Sequence, residues 1–180
     1  AAKSIGAEAV ATGHYCQKDT VNTPKGETHR LIAGADPNKD QSYFLCGDKL
    51  ILADANFPAH SMNENVIRLD GVDIKDAAKA ILSVFPLDSF VVSQGKSAVS
   101  RMEVDEQPNE LTDAHKEFIN VVKEVSGSNW SVGSIERQEF YKEAKTAYTI
   151  VTTTDARPFG CFVMTKGVIK PDGNVWVLDK

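Results

Sequence analysis

The chain has 180 residues, 42% hydrophobic and 25% charged, a globular balance that fills one ordinary domain with room for an appendage. Its 20 Lys and Arg stand against 25 Asp and Glu, and a net charge of −5 argues against a chain-wide nucleic-acid footprint. No apolar run approaches the roughly 18–20 residues of a membrane span, no segment has the charged head and apolar core of a signal peptide, and three widely spaced cysteines (Cys16, Cys46, Cys161) fit a reduced, cytoplasmic chain.

The first 46 residues are fragmentary. EAVATGHY is strand-like, and QKDTVNTPKGETHR, punctuated by Pro24 and Gly26, reads as a hairpin loop. RLIAG and SYFLC are short apolar runs on either side of the turn-rich ADPNKDQ, with no amphipathic helix long enough to cover them, so this segment is not expected to fold alone.

From Gly47 the pattern becomes regular. KLILADA suits a strand buried on both faces, and VIRLDG follows as a second strand. Ile74, Ala77, Ala78, Ile81, Leu82 and Phe85 recur at spacings of three and four, one face of a helix that Pro86 stops. DSFVVS and SAVSRMEV read as strands. Leu111, Ala114, Phe118, Val122 and Val125 mark a second helix ended by Gly127. SIER is extended, EFYKEAKTA is a brief helix with Phe140, Ala144 and Ala147 inward, YTIVTTT is a β-branched strand, and CFVMTKGVI is the last strand. Strands and helices interleave, so the expected class is α/β, a compact sheet with helices on its faces.

Ligands of open α/β sheets bind outside the carboxyl ends of strands, which draws attention to ADANFPAHSMN. There Asp54 either meets a polar ligand or closes an Asx-turn, and His60 is either a proton shuttle or a surface residue. Arg137 offers a planar fork of donors to hydroxyls, or else pairs with Glu136 or Glu139. In ARPFGCF, Gly160 permits close backbone approach to a ligand, or makes a tight turn. Arg68 and Asp70 read as an exposed pair. His14, Cys16 and His29 match no common zinc spacing, and no phosphate-loop or dinucleotide motif occurs, so no metal or cofactor is expected.

GDKLILADANFPAHSMNENVIRLDG, the AILSVFPLD helix end and IERQEFYKEAKTAYTIVTTTDARPFGCFVMTKGVI together resemble the L-fucose mutarotase / D-ribose pyranase family over about residues 47–170. The resemblance implies a cofactor-free mutarotase that interconverts α and β anomers of L-fucose or a related monosaccharide, in a cytoplasmic homo-oligomeric ring with its sites near subunit contacts. It places substrate binding on Asp54, Arg137, Phe159, Gly160 and Cys161, where Phe159 and Cys161 depart from the family's Tyr and Asn. The family's proton-donating histidine falls on Cys46, in Cys46-Gly47-Asp48, which leaves His60 or a histidine of a neighbouring subunit to shuttle protons. A catalytically impaired sugar-binding domain is the alternative. Residues 1–46 resemble an internal fragment of the tRNA 2-thiouridylase family, with Gly13 near its ATP site and Lys39, Asp40 and Gln41 near tRNA. The pyrophosphate loop and the paired cysteines of that family are missing. The expected division is therefore a remnant at 1–46, not a working tRNA site, followed by a sugar domain at 47–180.

Overall fold

The computed structural model describes residues 17–23, 26–32, 47–168 and 175–177, and the chain divides into two units, Ala1–Leu45 and Cys46–Lys180. The described part of the first unit is an antiparallel pair, β1 (Gln17–Thr23) and β2 (Gly26–Ile32), in register from Gln17↔Ile32 to Thr23↔Gly26. The polar stretch read as a hairpin loop is therefore strand over most of its length. A two-stranded ladder needs only backbone donors and acceptors, and Thr20, Val21, Thr23 and Thr28 favour extended backbone. Pro24, which cannot donate to a ladder, falls between the strands. Gly13, His14, Cys16, Lys39, Asp40, Gln41 and Cys46 lie outside the described residues.

The second unit runs β3 (Lys49–Ala53), α1 (Ala59–Met62), β4 (Val66–Arg68), α2 (Ile74–Leu82), α3 (Ser89–Ser93), β5 (Val99–Met102), α4 (Asp113–Val125), β6 (Val132–Ile135), α5 (Arg137–Thr146), β7 (Thr149–Thr152) and β8 (Phe162–Thr165). Six of these strands form one sheet in the order β4-β7-β3-β8-β5-β6. β3, β4 and β7 are mutually parallel, as are β5 and β6, and β8 is antiparallel to both β3 and β5. Five strands thus point the same way and only β8 is reversed.

Alternation along the central strands explains the two cores. Leu52, Val151, Phe162 and Met164 join Ile74, Leu82, Phe118 and Val122 of α2 and α4 on one face. Ile51, Ala53, Ile150 and Val163 join Phe57, Phe140 and Ala144 on the other, under α5. Phe118 and Phe162 stack at 3.7 Å between centroids. The expected helices appear where the apolar stripes fall, and each begins at a side-chain cap. Asp73 accepts from the Asp76 N–H at 2.8 Å, and Glu136 accepts from the Gln138 and Glu139 N–H groups. Gly127 follows α4 at φ +105, as its stop.

DSFVVS is the exception: it forms α3, not a strand. Asp88 accepts the Phe90 N–H at 2.7 Å and starts a short helix whose Val91 and Val92 pack on the first core. A segment this short, with three apolar residues in a row, carries no period long enough to separate the two outcomes. Arg68 and Asp70 form an exposed pair at 3.2 Å, worth at most about 1 kcal/mol. Among the described residues no helix is long and apolar enough to cross a membrane.

Candidate functional site

With β8 reversed, its entrance and the exits of β3, β5, β6 and β7 share one edge of the sheet. That edge collects Asp54 after β3, Arg137 after β6, Asp155 after β7 and residues 159–161 before β8.

Asp54 is 3% exposed. Its Oδ1 accepts the Asn56 N–H at 2.8 Å, so the Asx-turn foreseen for it is formed. Its Oδ2 accepts the Gly160 N–H at 2.9 Å and lies 3.5 Å from Cys161 Sγ. The carboxylate ties the exit of β3 to the entrance of β8, strands paired by Leu52↔Phe162. Gly160 allows this approach, since a Cβ there would stand 3.3 Å from Asp54 Cβ. Burial raises the pKa of Asp54 above the ordinary carboxylate value, with Asp155 adding repulsion, while the Asn56, Cys161 and Gly160 hydrogen bonds oppose the rise. Burial and the neighbouring Asp54 charge keep the Cys161 thiol protonated, and Arg137 acts on it in the opposite sense. A buried carboxyl pushed upward beside a protonated thiol suits proton exchange with a hydroxyl. Asp54→Asn must turn an NH₂ toward one of the N–H donors it now accepts. We expect a loss of about 1–3 kcal/mol, read as a lower urea midpoint; an unchanged midpoint would show that the carboxylate does not tie the two strands.

Arg137 opens α5 and is half-buried. Neither of the partners expected for it is used: Glu136 serves as the helix cap, and Arg137 instead pairs with Asp105 and donates from Nε to Tyr141 Oη at 3.0 Å. Tyr141 lies 5.8 Å from the ring of Phe57, in the loop that Asp54 begins, so Asp54 and Arg137 are linked through two aromatic rings. Phe159 is half-buried at φ +61, a left-handed conformation that a non-glycine residue adopts only when its surroundings hold it. His60 is exposed on α1.

Cys46 lies outside the described residues; Gly47 and Asp48 are described. The Gly47 N–H donates to the Lys166 carbonyl at 2.7 Å and the Lys166 N–H donates to the Asp48 carbonyl at 2.9 Å. Both lie at the start of β3 and the end of β8. The five residues of β3 separate this point from Asp54 by about 17 Å. Gly47 and Asp48 therefore stand at the opposite end of β3 from Asp54.

Two residues at this edge escaped the sequence reading. Arg157 donates to both oxygens of Asp155 and to Glu117 Oε2 at 2.8 Å. It lines an open cleft of about 390 Å³ whose other walls include Asp73, Asp76 and Glu117. His115, fully buried in the first turn of α4, reaches the Phe159 carbonyl. Its signal was its place in the helix stripe, four residues after Leu111 and three before Phe118. Among the described residues, no group of three or more His, Cys, Asp or Glu is disposed to hold a metal ion.

A family model described as the RbsD / FucU transport protein family matches residues 46–169, and one described as the tRNA methyl transferase HUP domain matches residues 1–80. An L-fucose mutarotase of Actinobacillus pleuropneumoniae serotype 5b (strain L20) is 36% identical over 124 residues, 68% of this chain and 82% of its own length. A fucose mutarotase of Danio rerio is 37% identical over 134 residues, 70% of this chain and 82% of its own length. The crystal structure of the fucose mutarotase of Streptococcus pneumoniae in complex with L-fucose superposes with a TM-score of 0.63 at 28% identity, covering 75% of this chain and 94% of that one.

Proposed function

The chain belongs to the RbsD / FucU family, and from that premise we propose that its Cys46–Lys180 unit is a mutarotase of L-fucose or a closely related monosaccharide. The observation that carries this is the shared sheet edge, where a buried carboxyl with an upward-shifted pKa, a half-buried guanidinium and a glycine turn lie together. Mutarotation removes the proton of the anomeric hydroxyl and delivers one to the ring oxygen as the bond from C1 to that oxygen breaks. The open-chain aldehyde then turns and recloses on its other face. The reaction calls for two proton transfers and no redox change, and positioned acid and base groups supply them. In this reading Asp54, Phe159, Gly160 and Cys161 form the sugar-facing wall, Arg137 anchors hydroxyls, and the exposed His60 is a candidate proton shuttle.

The same geometry supports a homo-oligomer. Gly47-Asp48 and Asp54 sit at opposite ends of one strand, so a site that uses both draws them from two copies of the chain. The ring and a cytoplasmic setting belong to this proposal. A specific substitution favours a second reading, an impaired sugar-binding domain: a thiol of ordinary pKa about 8.5 replaces an imidazole at residue 46. Saturation-transfer NMR on L-fucose, D-ribose and related sugars separates the two. Acceleration of anomer exchange over buffer supports the enzyme; calorimetric binding without acceleration supports the binding domain; folded protein with neither overturns both.

A further inference from the structure

We propose that His115 is the positioning residue of the 157–161 turn, its Nε2–H holding the Phe159 carbonyl so that Phe159 and Gly160 face the sugar in the geometry that Asp54 clamps from the other side. This rests on the mutarotase reading for its consequence in activity, and on the hydrogen bonds of His115 for its geometry.

His115 occupies the third position of α4, where the Thr112 side chain accepts the His115 N–H and His115 Nδ1 accepts the Thr112 N–H at 3.2 Å. A glutamate or glutamine usually closes this reciprocal cap. An imidazole closes it with one nitrogen and keeps the other free. Because Nδ1 accepts, the proton of the neutral ring sits on Nε2, which donates to the Phe159 carbonyl at 2.8 Å. The ring is 0% exposed and stands edge-on to Phe162 at 5.9 Å, so its direction is fixed by packing as well as by hydrogen bonds. Burial lowers the His115 pKa and the nearby Arg101 charge lowers it further, against the pull of the Phe159 and Glu110 carbonyls. Arg101 is itself buried, and its Nη2 donates to the Pro108 carbonyl at 2.6 Å.

At the far end of this contact the backbone is strained. Phe159 has φ +61, and the next N–H, that of Gly160, is the one Asp54 accepts. Two buried side chains, far apart in sequence, thus grip the same peptide group, one by its carbonyl and one by its N–H. Such a double grip fixes the peptide plane between Phe159 and Gly160. A helix cap alone would not require the second nitrogen of the ring.

The two nitrogens are separable by substitution. In His115→Asn the amide oxygen reaches roughly where Nδ1 was and preserves the cap, but nothing reaches Phe159. In His115→Gln the amide nitrogen reaches the Phe159 carbonyl. We expect His115→Asn to fold and to raise the apparent KM or slow anomer exchange about tenfold or more. His115→Gln is expected to stay within about threefold of the parent. Backbone NMR of both variants gives a readout independent of turnover, with the Phe159 and Gly160 amide shifts displaced in His115→Asn and retained in His115→Gln. In the parent, ¹⁵N shifts of the ring should show an Nε2–H tautomer. Parent-like Gly160 shifts in folded His115→Asn, or an Nδ1–H tautomer, overturn the proposal. Displaced shifts in a protein that accelerates no sugar leave the positioning role standing and remove the mutarotase reading instead. Should His115→Asn not fold, the tautomer and the His115→Gln shifts still decide.

Discussion

Cys46→His is expected to raise the anomer-exchange rate by about 10²-fold or more, the contribution typical of a positioned acid or base with a pKa near the working pH. The backbone beside residue 46 is in place for such a group. Gly47 is left-handed at φ +82, with open space where a Cβ would stand, and its N–H is anchored on the end of β8. A histidine at residue 46 titrates near neutrality, whereas an ordinary thiol is mostly protonated there and gives up its proton poorly. Saturation-transfer NMR on L-fucose with the folded variant and the parent is the measurement. Equal rates in the two proteins would mean that residue 46 does not limit the proton shuttle, and would place it with His60 or elsewhere.

Arg157→Met is expected to cost about 2 kcal/mol of folding stability at neutral pH. Asp155 has a side chain only 5% exposed, and Arg157 covers both of its oxygens while also neutralising Glu117. Removing the cation leaves a buried carboxylate facing the acidic walls of the neighbouring cleft. Acid unfolding carries the signature. Arg157 holds Asp155 down from 3.8 to about 2. The unfolded chain therefore binds the proton more readily than the folded one between these values. The stabilisation, about 2 kcal/mol, is present above pH 4 and lost as pH falls through 2. Without Arg157, the burial of Asp155 pushes its pKa the other way, and the acid transition should begin at a higher pH. Urea midpoints across pH 2–7 test this. A variant with the parent's acid profile would show that Arg157 is a surface partner only.

The parts legible in the sequence were those written in long periods. Ile74, Ala77, Ala78 and Leu82, and Phe118 and Val122 on the second helix, announced two helices and the face each buries. Short elements were less so: DSFVVS offers six residues and no period, and the cap at Asp88 decided it. In β1 and β2, polar side chains concealed a ladder built from backbone alone. The site divides in the same way. The Asx-turn at Asp54 followed from local spacing after a buried strand. The grip of Asp54 on Gly160, 106 residues away, follows only from the pairing of β3 with β8. Arg137 was placed correctly at the helix start, but its partner Asp105 lies 32 residues upstream, on a loop that no local rule attaches to it. His115 stood in a legible apolar stripe, yet a polar residue inside a stripe says only that it needs partners, not which ones.

The reversed strand also bears on how this sheet can be assembled during synthesis. Among the described residues β4, β7 and β3 form one block, β5 and β6 another, and the ladders joining the blocks run through β8, the last of these six strands in chain order. Until residues 162–165 emerge, two half-sheets each expose an unpaired central edge, the form most prone to stray pairing with another chain. Pairing of β8 with β3 joins the halves and also brings Gly160 under Asp54, so completing the sheet and closing the 157–161 turn depend on the same strand.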